Sequence, residues 1–140
     1  MEIDGKSMEA YDAMPTHAMG PRDALRLLKG RFPEFSHLFS DPDDLGLEPS
    51  EPYYSYGIFA REMLERRSDA RLLERVISLI NEMTTSKEHI LEYVVIVTVL
   101  EQFAENPEMA PLLYPRIVPQ AQEALRAIER DFYGRVQPAP

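Results

Sequence analysis

Residues 87–105, KEHILEYVVIVTVLEQFAE, constrain the fold more than any other stretch of the chain. From Tyr93 to Phe103 only Thr98, Glu101 and Gln102 are polar. The run YVVIV is rich in β-branched residues, which favour strands, so a short strand is the competing reading. Three features select a helix. Thr85 and Glu88 have the spacing of a capping box, which would satisfy the first orphan amides. The apolar segment continues to Asn106-Pro107, too far for an ordinary strand. The stripe that begins with Glu88 and Glu92 runs on into Ile96 and Val99. The first turn is therefore amphipathic and the middle apolar all round, the pattern of a helix buried on every side. Its neighbours must pack around it.

The chain has 140 residues, the length of one domain. It contains no cysteine, which removes disulfides, thiolate metal ligands and cysteine nucleophiles, and fits a cytoplasmic setting. The opening MEIDGKSMEAYDAM is acidic and has no apolar core of the kind a signal peptide needs. No apolar run is long enough to span a bilayer. The formal net charge of −9 disfavours nucleic acid and anionic membrane surfaces, both of which require a basic face. A basic protein partner is electrostatically favoured, although acidity also serves solubility alone.

Residues 1–20 show no periodicity and are expected to be a mobile tail. One helical domain is expected over 21–134, followed by a tail at 135–140. Pro21 and Asp23 mark the first helix start, and Ala24, Leu25, Leu28 and Phe32 form its apolar face. Residues 36–52, SHLFSDPDDLGLEPSEP, read as a loop. It carries Asp41, Asp43, Asp44, Glu48 and Glu51 and no lysine or arginine. Leu45 and Leu47 are expected to tack it to the body.

Ser50 and Pro52 mark the second helix start, with Tyr53, Tyr56, Phe59, Ala60, Met63 and Leu64 as its apolar face. Gly57 lies inside it, so either the regular helix begins later or another backbone comes close. Ser68 or Asp69 caps the third helix, with a stripe of Leu72, Leu73, Val76, Ile77, Ile80 and Met83. The link at 84–86 is so short that the third and central helices must form an antiparallel hairpin. Pro111, Pro115 and Pro119 forbid one long helix beyond Pro107. A helical turn near 108–114 and a last helix from Pro119 are expected, with Ala121, Leu125, Ile128 and Phe132 inward and Gly134 as the stop. The fold class is all-α, with five to six helices in a compact bundle or a short HEAT-like antiparallel stack.

Motifs of known chemistry are missing. His17, His37 and His89 show no metal-ligand spacing, and no nucleophile elbow or phosphate loop is present. DPDDLG places Asp41, Asp43 and Gly46 at calcium-loop positions, but Pro52 stands where the bidentate glutamate should be. No metal or cofactor is expected. Glu101, on an apolar face of the central helix, is the carboxylate of greatest interest. It either reaches water or pairs with an arginine such as Arg116 or Arg61; a catalytic role needs a second group, which the sequence does not name.

The order of signals resembles a family of small all-helical bacterial domains of unknown function. The resemblance rests on Phe32-Pro33-Glu34-Phe35 after the first helix, Tyr56-Gly57, the stripe at 72–83 and Val97-Thr98-Val99-Leu100-Glu101. It covers roughly residues 21–133 and implies a fold, not a reaction. The proline-rich segment 107–119 departs from the family pattern. By analogy, small acidic helical proteins also look like immunity proteins that neutralise toxins.

The leading expectation is a non-enzymatic protein-binding module, in the specific case an immunity protein. It would meet a basic partner through Asp41, Asp43, Asp44, Glu48, Glu51 and an exposed Tyr54. The alternatives are a self-associating scaffold with an apolar interface, and a small-ligand binder or enzyme built around Glu101.

Overall fold

Gly20 and Pro21 set the first helix. The Gly20 carbonyl accepts from the Asp23 and Ala24 amides at 3.1 and 3.2 Å. Its own N–H donates to the Asp23 carboxylate at 2.9 Å. With Pro21 at the first position, α1 runs Pro21–Arg31. The computed structural model describes residues 19–135. Most of the expected tails, with His17, lies outside the described residues. Met19, at the edge of the expected N-terminal tail, is anchored: its N–H donates to Glu88 Oε1 at 2.9 Å.

A 3-10 turn at Pro33–Leu38 follows α1. Next come α2 (Glu51–Glu65), α3 (Ala70–Thr84) and a continuous helical run over 89–104. That run consists of α4 (His89–Val94), a π-helical stretch Val95–Leu100 and α5 (Glu101–Ala104). A 3-10 turn at Pro107–Met109, α6 (Ala110–Leu113) and α7 (Pro119–Tyr133) complete the chain. There is no strand among the described residues. With 89–104 taken as one helix the described residues form six, within the expected all-α architecture. Among the described residues, no helix is long and apolar enough to cross a membrane.

The π stretch is the hub. It touches α2, α3 and α7, and α1 packs on α2 and α4. Val94, Val95, Val99, Leu100 and Phe103 are buried there. Its wide turns sit in the densest β-branched run of the chain. The Thr98 hydroxyl donates to the Val94 carbonyl at 2.5 Å, a back-bond that bends helices. The helix is not buried on every side, however. Ile96 and Val97 are half-buried and Tyr93 is 60% exposed. The expected capping box is also corrected: the Thr85 hydroxyl bonds backward to the Asn81 carbonyl at 2.8 Å, closing α3. The Ser86 hydroxyl takes the Glu88 amide instead, at 3.0 Å.

The α3 stripe is buried as expected, with Leu79 added to it. Asp69 caps α3 by accepting from the Leu72 amide at 3.1 Å. Ser50 precedes α2 without a side-chain cap. Phe59 fills the space between α2 and the 32–39 segment. Its ring lies 4.6 Å from Phe32 and 6.1 Å from Phe39. The Tyr56 hydroxyl donates to the Ala24 carbonyl at 2.7 Å, joining α1 to α2. On α7, Ala121, Leu125 and Ile128 point inward, but Phe132 is 62% exposed because the helix end projects past the core. Gly134 closes α7 in the left-handed region at φ 63°, where glycine carries no Cβ penalty.

Helix α2 is regular through Gly57. What comes close is the Gln102 side chain, whose Nε2 donates to the Gly57 carbonyl at 2.8 Å. An added Cβ would sit 3.6 Å from that nitrogen, an ordinary contact. Gly57→Ala should therefore raise stability by about 0.5–1 kcal/mol through helix propensity. Urea unfolding of the two proteins checks this, and a loss of stability would mean that the Gln102 contact cannot relax.

Candidate functional site

The acidic loop is positioned by two arginines from α1. Arg22 Nη1 donates to the Pro42 carbonyl at 2.7 Å and to the Asp44 carbonyl at 2.8 Å. Arg26 pairs with Asp43 at 3.1 Å and with Asp23 at 3.4 Å. The loop also folds on itself. Asp41 Oδ1 accepts from the Asp43 amide and Asp44 Oδ1 from the Gly46 amide, both at 2.9 Å. These are the local turns that aspartate side chains favour. Leu45 does not tack the loop down: it is 95% exposed at the tip of the second turn, and the Arg22 clamp holds the backbone instead.

Glu51 sits at the first position of α2 and accepts from the Ser40 hydroxyl. The Ser40 amide in turn donates to the buried Ser55 hydroxyl at 2.9 Å. Glu51 is thus half-buried and engaged, and Asp43 is paired. Asp41, Asp44 and Glu48 remain exposed around the loop. Tyr54, one turn into α2, is 67% exposed.

The structure adds a residue that the sequence did not single out. Tyr53 meets Tyr93 edge-on, with ring centroids 6.1 Å apart. This contact joins the loop end of α2 to the open side of α4. Beside it lies a shallow groove of about 330 Å³ lined by His89, Glu92, Tyr93 and Ile96. Burial pushes the Tyr53 hydroxyl up, with Tyr93 adding to the effect. The acidic loop, Tyr54 and the Tyr93 groove therefore form neighbouring parts of one end of the molecule. Tyr93 was hidden in the sequence because it opens an apolar run whose other members are largely core.

Glu101 lies about two turns further along the same helix. It is half-buried and makes no ion pair among the described residues. Arg116 pairs with Glu74 instead, at 3.3 Å. Desolvation pushes the Glu101 carboxyl above its ordinary range, and Glu105 one turn away adds to this. A raised acid favours the folded state when protonated and opposes it when ionised. Its stabilising contribution is present below the ordinary glutamate pKa and is lost as pH rises through the raised value. Glu101→Gln should therefore melt at a higher temperature than wild type at neutral pH. The difference should vanish as pH falls toward 4, and thermal melts at several pH values check it.

A second polar cluster lies at the other end of the 89–104 helix. Glu129 on α7 is 1% exposed. It accepts from the Tyr114 hydroxyl at 2.7 Å and faces Arg135 at 3.4 Å. The Gly134 turn swings Arg135 back, and its guanidinium also donates to the Ala104 carbonyl. A cation there complements the carboxyl end of a helix. Among the described residues, no group of three or more histidines and acids is placed to hold a metal ion.

Against protein-family models, residues 25–134 match a domain of unknown function, DUF7674. No curated protein and no solved structure matches the chain.

Proposed function

The chain belongs to the DUF7674 family of domains of unknown function, and on that premise we propose that it is a non-enzymatic protein-binding module for a basic partner. A basic toxin held by an immunity protein is the specific case. The observation that carries this reading is the pair of solvent-facing rings, Tyr54 and Tyr93, beside the densest acidic segment of a chain of net charge −9. Tyrosine supplies large contact area at low entropic cost and is enriched at interfaces. Exposed acids around it steer a basic partner and set register more than they add affinity. The loop is held by Arg22 and by its own turns, so little ordering remains to be done on binding.

The test is capture of a basic protein from source lysate, compared between wild type and two variants. Tyr54→Ala with Tyr93→Ala should weaken capture by about tenfold or more, and Asp41→Lys with Glu48→Lys should do so most at low salt. A captured protein that both variants retain equally, or that persists at high salt with the reversed charges, would sink the reading. Self-association through an apolar face is the second reading. It draws on exposed Phe132 and Tyr133, whose rings meet edge-on at 6.4 Å. It predicts an oligomer that resists salt and is lost in Phe132→Ser, measured by sedimentation.

A further inference from the structure

Away from the acidic loop, a groove of about 440 Å³ runs between the 3-10 turn at Pro33–Leu38 and the start of α3. Arg66, Arg71 and Arg75 line it, over an apolar floor that includes Phe35 and Leu72. These arginines stand out in a chain with 24 acidic and 15 basic side chains. Arg66 lies over the Phe35 ring at 5.1 Å and Arg75 over the Phe32 ring at 4.7 Å. Stacking fixes both guanidiniums, which lowers the entropic cost of engaging a ligand.

The acids that also line the groove are already in use. Asp69 is spent on the α3 cap. Glu34 accepts from Arg75 through both oxygens, at 2.6 and 3.1 Å. Arg71 is exposed and has no hydrogen bond or ion pair among the described residues. A second, smaller hollow continues the groove past Arg75 to Arg31 and Leu79.

We propose that this groove docks an acidic segment of a protein partner, its carboxylates taken by Arg71 and, by exchange with the ion-paired Glu62 and Glu34, by Arg66 and Arg75. The Arg75–Glu34 pair displays the two-pronged carboxylate geometry that such a segment would copy. Arg71 and Arg75 stand one turn apart on α3, about 6 Å along the axis. Side chains on the same face of an extended peptide repeat at about 6.6 Å, so acids at alternate positions match the two guanidiniums. A nucleic acid needs a long basic face to meet its closely spaced phosphates. This short groove on a strongly acidic protein does not provide one. The inference is independent of the acidic-loop reading, because the two surfaces use opposite charges and different residues.

The experiment is fluorescence anisotropy at low ionic strength with a short labelled peptide carrying glutamate at alternate positions. Its glutamine counterpart and a single-stranded oligonucleotide of equal charge serve as competitors. The glutamate peptide is expected to bind and the glutamine peptide not to compete. Arg71→Glu, an exposed change that threatens no core contact, should weaken binding by about tenfold or more. Glu34→Gln should tighten it severalfold by freeing Arg75, a gain that a purely structural ion pair would not produce. Asp41→Lys with Glu48→Lys should leave peptide binding intact. Absence of binding by the glutamate peptide, or equal binding by Arg71→Glu, overturns the proposal. So does stronger Arg71-dependent binding of the oligonucleotide. A concentration-dependent dimer abolished by the loop reversal would replace the foreign segment with the acidic loop of a second copy, and would overturn it as well.

Discussion

Phe59→Ala is expected to lower stability by about 3–5 kcal/mol, because a fully buried ring is removed and the cavity cannot fully collapse. Phe32 and Phe39 would lose the ring they pack against. These two residues bracket the 3-10 turn and lead into the acidic loop, so the loss should not be spread evenly. Hydrogen exchange and proteolysis should speed up first over 33–50, ahead of α3 and the π stretch. A domain of this size has about 5–15 kcal/mol in total, so the variant should remain folded in the cold and melt roughly 10–20 °C earlier. Phe59→Leu should recover much of the loss. Equal acceleration over the whole chain would show that the aromatic cluster does not hold the loop in particular. The acidic surface would then owe its shape mainly to the Arg22 clamp.

Tyr114→Phe should cost about 1.5–3 kcal/mol, although it removes a single oxygen atom. That hydroxyl donates to a carboxylate with almost no solvent contact, and hydrogen bonds to buried charges are worth more than neutral ones. The pH dependence gives the mechanism. Burial pushes the Tyr114 hydroxyl above its ordinary range, and the Glu129 carboxylate reinforces the shift by hydrogen bond and charge. A group whose folded pKa is raised contributes stability below its ordinary value, here about 10, and loses it as pH climbs toward the folded value. The advantage of wild type over Tyr114→Phe should therefore be constant from neutral pH to about 10 and shrink above that. Chemical denaturation at several alkaline pH values reads this directly. Equal stability of the two proteins at pH 7 would mean that Glu129 draws its satisfaction from its other contacts. Partner capture should be unaffected by Tyr114→Phe, in contrast to Tyr54→Ala, because the cluster lies away from the tyrosine and acid end.

The candidate binding face was only half legible in the sequence. The five acids and Tyr54 were visible as an unbroken local cluster. Their different fates were not. Asp43 is paired because Arg26 reaches it from α1, and Glu51 is engaged because the loop folds back to bring Ser40 against it. Leu45 had the right chemistry for an anchor, but two aspartate turns aim it at solvent while a side chain from α1 does the anchoring. Glu101 looked like a buried carboxylate in search of an arginine such as Arg116 or Arg61, yet it pairs with neither among the described residues, and Arg116 is taken by Glu74 on α3.

What the sequence determined by itself is what local chemistry controls. Pro21, Asp69, the three late prolines and Gly134 start and stop helices because their effects act within a turn of their own position. The apolar stripes of α2 and α3 follow from helical spacing alone. Tertiary structure decided the rest. Only packing against α2, α3 and α7 shows which side of the 89–104 helix stays open, and so leaves Tyr93 in solvent beside the acids. Only the fold brings Glu129, Tyr114 and Arg135 together, or sets Arg66, just past the end of α2, in one groove with arginines of α3. Those contacts join side chains from different elements, and nothing in the local sequence records where a distant partner will come to rest.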